Sequence, residues 1–237
     1  MMDASILYTF YNTPEKYFLP SIKSAVKFNL PILIVNDQSD TYYLSMLKEI
    51  QQEYSGIEIV TPKIKLLQQG CTYYGASLLS SKYIIRMDSD DIMYDIPHIE
   101  QNEDYDLILN KSESAYNIER WLCGRKLNIN GCFVKKEILK FMYADYQFMN
   151  DNHFYFHEDD FTALRLFLLR EFTYKIEHAL YRNIYREEHR KSNYFPKAKF
   201  YRTSLLYLLG ARYNINIKYL KPYFDFIQNC NNNYIKN

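Results

Sequence analysis

Four short apolar runs, Ser5–Phe10, Pro31–Val35, Ile57–Val60 and Tyr83–Met87, punctuate the first ninety residues of this chain. Between them lie segments of helical character. Tyr17, Phe18, Ile22, Ala25 and Val26 recur at a helical period after Thr13, read as an N-cap, and Pro14, read as the first helical residue. Thr41–Tyr54 reads as a second helix and Ala76–Ser81 as the end of a third. Pro31–Val35 is apolar throughout, without alternation, which suits a strand covered on both faces, as in parallel sheets. Strand and helix in turn predict an α/β fold with a doubly wound, mostly parallel sheet. Such sheets bind ligands beyond the carboxyl ends of their strands. Three polar stretches stand there: Thr9–Asn12, Asn36-Asp37 and Asp88-Ser89-Asp90-Asp91.

The rhythm then changes. Asp106–Leu109 and Cys132–Val134 read as short strands, Lys136–Tyr143 as a helix, and Asp159–Arg170 as an amphipathic helix with Phe161, Leu164 and Leu168 on one side. Phe172–Tyr185 alternates as a strand or strand pair, and Phe200–Tyr213 and Ile217–Ile227 read as helices. The Asn-rich end, Asn229–Asn237, has no core formers and is expected to fray. No internal repeat or linker is evident, which predicts one domain over 1–194 and a C-terminal helical appendage over 195–237.

Composition removes several classes of function. Six Gly and seven Pro occur in 237 residues, where average usage would give about twenty-eight together. No G-x-G-x-x-G is present. Gly70 and Gly75 have Walker spacing, but Ala76 stands where the P-loop needs its Lys. A phosphate group would therefore be held without a glycine loop. The net charge of +1 disfavours non-specific nucleic-acid binding. The 48% hydrophobic content is enough for a substantial core. Cys71, Cys123, Cys132 and Cys230 stand apart, with neither zinc spacing nor a disulfide framework. No stretch approaches the ~18 apolar residues of a membrane span, and the N-terminus lacks a secretory pattern. A cytoplasmic, reducing compartment is the expectation. The Lys- and Arg-flanked helices after Phe195 leave peripheral membrane contact as the alternative to covering the sheet.

Asp88, Asp90 and Asp91 close an apolar strand, and crowded carboxylates are unfavourable unless a cation or proton neutralises them. Hard oxygen donors suit Mg²⁺ or Mn²⁺, with substrate phosphates completing the shell. The competing structural reading is an acidic turn capping the next helix. After a buried strand in a β-α-β context, the metal reading is preferred. Two further charged stretches are His157-Glu158-Asp159-Asp160, which on its own is ordinary helix initiation, and Tyr185–Ser192, a solvated loop or a phosphate-contacting one.

In order and spacing, these stretches resemble the GT-A fold glycosyltransferases of the inverting family 2 type, over roughly residues 4–192. Thr9, Tyr11 and Asn12 match the family's opening strand end. Ile34–Ser39 is similar to its Val-Asp-Asp-x-Ser, with Asn36 replacing the first Asp and Asp37 standing where the family contacts the nucleotide base. Met87–Asp91 looks like the D-x-D segment. The resemblance implies that Asp88 contacts the ribose and metal shell and that Asp90 holds the cation. Glu158-Asp159, with Arg165 downstream, resembles the Glu-Asp motif and makes Asp159 the general base. His189 with Tyr185, Arg186 and Ser192 resembles a Tyr-Arg-x-His-x-x-Ser segment with one extra residue, which implies a metal-contacting His189. Gly70–Gly75 lacks the family's Arg-Asn.

The resemblance further implies a nucleotide-binding half over about 1–95 and an acceptor-side half over about 96–194. The donor would be a nucleoside diphosphate sugar, by family tendency a UDP-sugar, with Mn²⁺ or Mg²⁺ as cofactor and a glycan or other hydroxyl acceptor. Trp121 suits a sugar platform, although core packing is the commoner use of Trp. Two other readings compete. A haloacid-dehalogenase-like phosphatase also sets D-x-D after a strand, but Asp88 follows two complete β-α-β steps; phosphate release from a generic phosphoester in Mg²⁺ discriminates. A catalytically degenerate sugar-nucleotide-binding scaffold is motivated by Asn36 and the missing Arg-Asn, and tight nucleotide binding without turnover would reveal it.

Overall fold

The computed structural model describes residues 3–96, 104–110, 129–151, 158–177, 181–183 and 206–229. Seven strands form one sheet in the order β3-β2-β1-β4-β7-β6-β8: β1 Ala4–Phe10, β2 Ile32–Asn36, β3 Ile57–Val60, β4 Tyr83–Asp88, β6 Leu107–Asn110, β7 Phe133–Lys135 and β8 Tyr174–Glu177. The first four are mutually parallel, β7 runs antiparallel to β4 and β6, and β8 is parallel to β6. A two-stranded antiparallel pair joins β5 Asp91–Met93 to β9 Tyr181–Asn183. The sheet is mixed but mostly parallel, as expected from the apolar runs.

Every residue of β1 and β2 is buried. Side chains alternate between the two faces of a strand, so a helix layer is needed on each side. On one face Ile6, Tyr8 and Phe10 share a core with Phe18 and Ile22 of α1 (Glu15–Val26) and with Met46, Leu47 and Ile50 of α2 (Thr41–Glu53). On the other face α3 (Leu67–Leu78) lies so close that a Cβ at Gly75 would come within 2.4 Å of Leu7 Cδ1 and 2.8 Å of Val35 Cγ2. Gly75→Val is therefore expected to cost about 3 kcal/mol through overpacking. Chemical denaturation should read this as a lower midpoint with an unchanged slope.

α3 packs in turn on α4 (Lys136–Tyr143) and α5 (Tyr146–Asp151). The Tyr146 ring lies over Gly70 and 5.5 Å from that of Tyr73.

Several local expectations are revised. Pro14, not Thr13, is the N-cap of α1, and its carbonyl accepts the N–H groups of Tyr17 and Phe18. The acidic stretch leads into β5 and not into a helix, so helix capping does not explain it. α6 (Glu158–Leu169) is buried at all six positions from Phe161 to Leu166, so its packing is not confined to one face. α5 had no counterpart in the sequence pattern. Helical residues 206–212 and α7 (Ile217–Asn229) occupy the C-terminal stretch, where a Cβ at Gly210 would lie 2.5 Å from Leu220 Cδ1. Trp121 and Tyr185–Ser192 lie outside the described residues. The chain divides into two compact units: Met1–Ser112, Ile129–Glu158 and Glu171–Arg190 form one, and Glu113–Asn128, Asp159–Arg170 and Lys191–Asn237 the other.

Asp106 ties the start of β6 to the approach of β8. It accepts the Thr173 N–H at 2.9 Å and the Lys135 ammonium at 3.0 Å. Burial pushes its carboxyl up, but these partners hold it below the ordinary carboxylate value on balance. A depressed folded-state value means stability that is present above the unfolded pKa of about 3.9. That stability is lost as pH falls through the folded value. Asp106→Ala should cost about 1–2 kcal/mol at neutral pH, and the gap to wild type should close on acidification. Urea titrations at pH 7 and pH 3 would check both statements.

Candidate active site

The chain builds β1, β2 and β3 outward in one direction, then crosses through α3 to place β4 on the other side of β1. The strand order therefore reverses between β1 and β4, and a crevice opens there at the carboxyl ends. Register brings the polar strand ends together: Thr9 pairs with Asp88, and Phe10 with Asn36. A cleft of about 340 Å³ occupies this point, lined by Thr9, Phe10, Tyr11, Thr13, Asp37, Gln68, Cys71, Asp88, Ser89 and Asp90.

Five residues that the sequence singled out thus share one cleft: Thr9, Tyr11, Asp37, Asp88 and Asp90. Tyr11 is half exposed, with the Lys65 ammonium 3.5 Å from its ring centroid. Asp37 is nearly buried and accepts the N–H groups of Leu66 at 2.7 Å and Leu67 at 2.9 Å. The negative charge thereby satisfies amides at the start of α3, where orphan N–H groups and the helix dipole favour an anion. It also holds Leu67 at φ 58°, a left-handed conformation costly for leucine. Burial, with Asp37 adjacent, pushes the Cys71 thiol up, so it stays protonated against the carboxylate.

Asn12 is engaged elsewhere. Its amide donates to Asp40 Oδ2 at 2.9 Å and accepts the Asp40 N–H at 2.9 Å, tying the β1–α1 loop to the β2–α2 loop. Asn36, which replaces an acid of the family pattern, is fully buried; it donates to Thr61 Oγ1 and accepts the Ser39 N–H.

The acidic segment is held by side chains that the sequence did not mark as site residues. Arg86, 1% exposed, places Nη2 3.0 Å from Asp88 Oδ1, and Gln68 Nε2 donates to the same oxygen at 2.7 Å. Asn130 donates to Asp88 Oδ2 and, at 3.2 Å, to Asp91 Oδ2. Thr13 and Ser89 share a hydroxyl contact of 2.5 Å across the cleft floor. Charge crowding, attributed in the sequence to a cation or proton, is thus relieved at Asp88 by a buried guanidinium. A charged residue inside the apolar run Tyr83–Met87 was the available signal, because a buried Arg requires a partner.

Among the described residues no three or more His, Cys, Asp or Glu side chains form a ready-made metal cage. The donor set nevertheless suits a hard divalent cation: Asp90 stands on the cleft wall beside Ser89, with room for phosphate oxygens. Mg²⁺ and Mn²⁺ are commonly held this way, by one or two carboxylates and the substrate's own phosphates. His189 lies outside the described residues. Asp159 stands in the first turn of α6, in the second unit.

An α/β protein with an acid-lined cleft at its strand-order reversal is the class that fold and site define. Residues 5–108 match the model of glycosyl transferase family 2. An uncharacterized glycosyltransferase of Haemophilus influenzae is 36% identical over 91 residues, which are 37% of this chain and 28% of that protein. The aligned part is thus under a third of that relative's length. Among solved structures, Staphylococcus aureus TarS 1–349 superposes with a TM-score of 0.48 at 15% identity, over 86% of this chain and 65% of that one. The Pyrobaculum calidifontis mannosyltransferase PcManGT, in complex with GDP-Man and Mn²⁺, gives 0.46 at 10% identity, over 58% and 46%. No helix among the described residues is long and apolar enough to cross a membrane.

Proposed function

We propose that this chain is a glycosyltransferase that moves a sugar from a nucleoside diphosphate sugar, by family tendency a UDP-sugar, to a hydroxyl acceptor with inversion. The observation that carries the reading is the cleft at the β1/β4 reversal, in which Asp37, Asp88 and Asp90 line one crevice inside the segment that matches the family. Tyr11 offers a flat ring at this crevice, Thr9 and Asp88 offer hydrogen-bonding groups to the nucleoside, and Asp37 lies where base recognition is expected. Asn12 serves by fixing the loop that carries Tyr11. Asp90, joined by His189, would hold Mn²⁺ or Mg²⁺. When bound, such a cation neutralises charge on the departing diphosphate.

Asp159 accepts the proton of the acceptor hydroxyl. The hydroxyl oxygen then bonds to the anomeric carbon from the face opposite the diphosphate, and the electron pair of the breaking C–O bond leaves with the nucleoside diphosphate. One displacement inverts the anomeric centre and needs no covalent nucleophile on the protein. In domain terms, 1–194 performs the transfer and 195–237 is a helical appendage. The test is nucleotide release from a panel of UDP- and GDP-sugars with Mn²⁺, alone and with an acceptor mixture. Release from one donor, stimulated by acceptor and absent with EDTA, supports the proposal. Phosphate release from simple phosphoesters, or binding without turnover on any donor, overturns it.

A further inference from the structure

The turn before β7 carries a side chain that reaches the acidic segment from outside the strand bearing it. Gly131, at φ 69°, donates its N–H to the Arg86 carbonyl at 2.9 Å and so anchors this turn to the β4 backbone. The neighbouring Asn130 is 4% exposed. Its Oδ1 accepts from Arg86 Nη1, while its Nδ2 serves the carboxylates of both Asp88 and Asp91. One amide therefore engages the guanidinium and two acids together. On the far side the Asp91 carbonyl accepts the Ser21 hydroxyl, and the Met93 N–H donates to Ser24 Oγ, which secures the end of the segment to α1.

Asp90 lies between two residues that Asn130 pins, Asp88 and Asp91. Holding positions 88 and 91 restrains the two-residue stretch, Ser89-Asp90, from which the Asp90 carboxylate projects. An amide suits this position better than an acid or an amine: it meets a cation with its oxygen and two anions with its nitrogen, and adds no charge to a crowded site. We infer that Asn130 is a positioning residue, which sets Asp90 for the divalent cation by clamping Asp88 and Asp91 against Arg86. The inference rests on the metal-dependent reading given above.

The experiment compares Mn²⁺ binding to the UDP-saturated full chain, by electron paramagnetic resonance of free Mn²⁺, in wild type, Asn130→Ala and Asp106→Ala. Asp106→Ala loses stability at the β6–β8 junction and controls for general destabilisation. Loss of an outer partner of a metal ligand typically weakens metal affinity about 10–100-fold. The expected result is a Mn²⁺ affinity at least about tenfold weaker in Asn130→Ala, with Asp106→Ala like wild type. Equal Mn²⁺ affinity in Asn130→Ala and wild type, or an equal loss in Asp106→Ala, overturns the positioning role alone. Absence of Mn²⁺ binding to UDP-saturated wild type overturns the metal-dependent reading and the inference with it. If Asn130→Ala does not fold, Asn130→Ser, which keeps a short donor and acceptor, carries the same comparison. Failure of both to fold assigns Asn130 to folding alone and overturns the proposal.

Discussion

Asp90→Asn is expected to lower metal-dependent nucleotide release by about 1,000-fold, while the thermal midpoint stays close to that of wild type. The size follows from the chemistry, since an electrostatic group that meets charge developing on the leaving group contributes a factor of about 10²–10³ or more. The unchanged midpoint follows from the site. Asn keeps the size of Asp at this position on the cleft lining, and Arg86, Asp88 and Asn130, which hold the segment, are unchanged. The same change at Asp88 would confound the two effects, because it would leave a buried guanidinium without its carboxylate, at a cost of about 3–5 kcal/mol. Steady-state release assays beside a thermal melt would check the Asp90→Asn result, and near-wild-type turnover would remove Asp90 from the catalytic machinery.

Asp159→Asn is the second large effect, expected to reduce transfer to acceptor by about 10²–10⁴-fold, the usual worth of a general base. Donor binding should remain at the wild-type level. Asp159 stands in the first turn of α6, where an acid also complements the helix dipole. Removing that charge costs only about 0.3–1 kcal/mol of stability, too little to explain a loss of activity of this size. Acceptor-dependent product formation, measured beside donor binding by calorimetry, distinguishes the outcomes. If binding and transfer fall together, or transfer survives, Asp159 is not the base.

The parallel half of the fold was legible because β1, β2 and β4 are buried almost throughout and the helices α1 and α2 keep a clear period. Lys136–Tyr143 was recognisable as a helix for the same reason. β5 was not, since three residues containing Asp91 owe their extended form to pairing with Tyr181–Asn183, a partner some ninety positions away. The short helix Tyr146–Asp151 is likewise fixed by packing, through Tyr146 on Gly70 and Tyr73.

At the site, Asp37, Asp88 and Asp90 could be read from their places at strand ends. Their supports could not. Gln68 reaches Asp88 from a helix, and Asn130 reaches it from a turn 42 positions away. Asn130-Gly131 announces a turn, but the direction of its amide depends on β7 pairing with β4. Asn12 shows the reverse case: a residue type suited to a ligand is used, on both ends of its amide, to join two loops.

A thermal-shift series with UDP-, GDP- and other nucleotide sugars, each with and without Mn²⁺, tests most directly whether this cleft holds a nucleotide sugar through a cation. A ligand at one hundred times its Kd stabilises the native state by about 2.7 kcal/mol, which a melt resolves as a rise of several degrees. The expected result is a rise that needs both Mn²⁺ and one class of nucleotide, and that disappears in Asp90→Asn. A midpoint unmoved by every nucleotide sugar with Mn²⁺, or a shift of equal size without the metal, would contradict it.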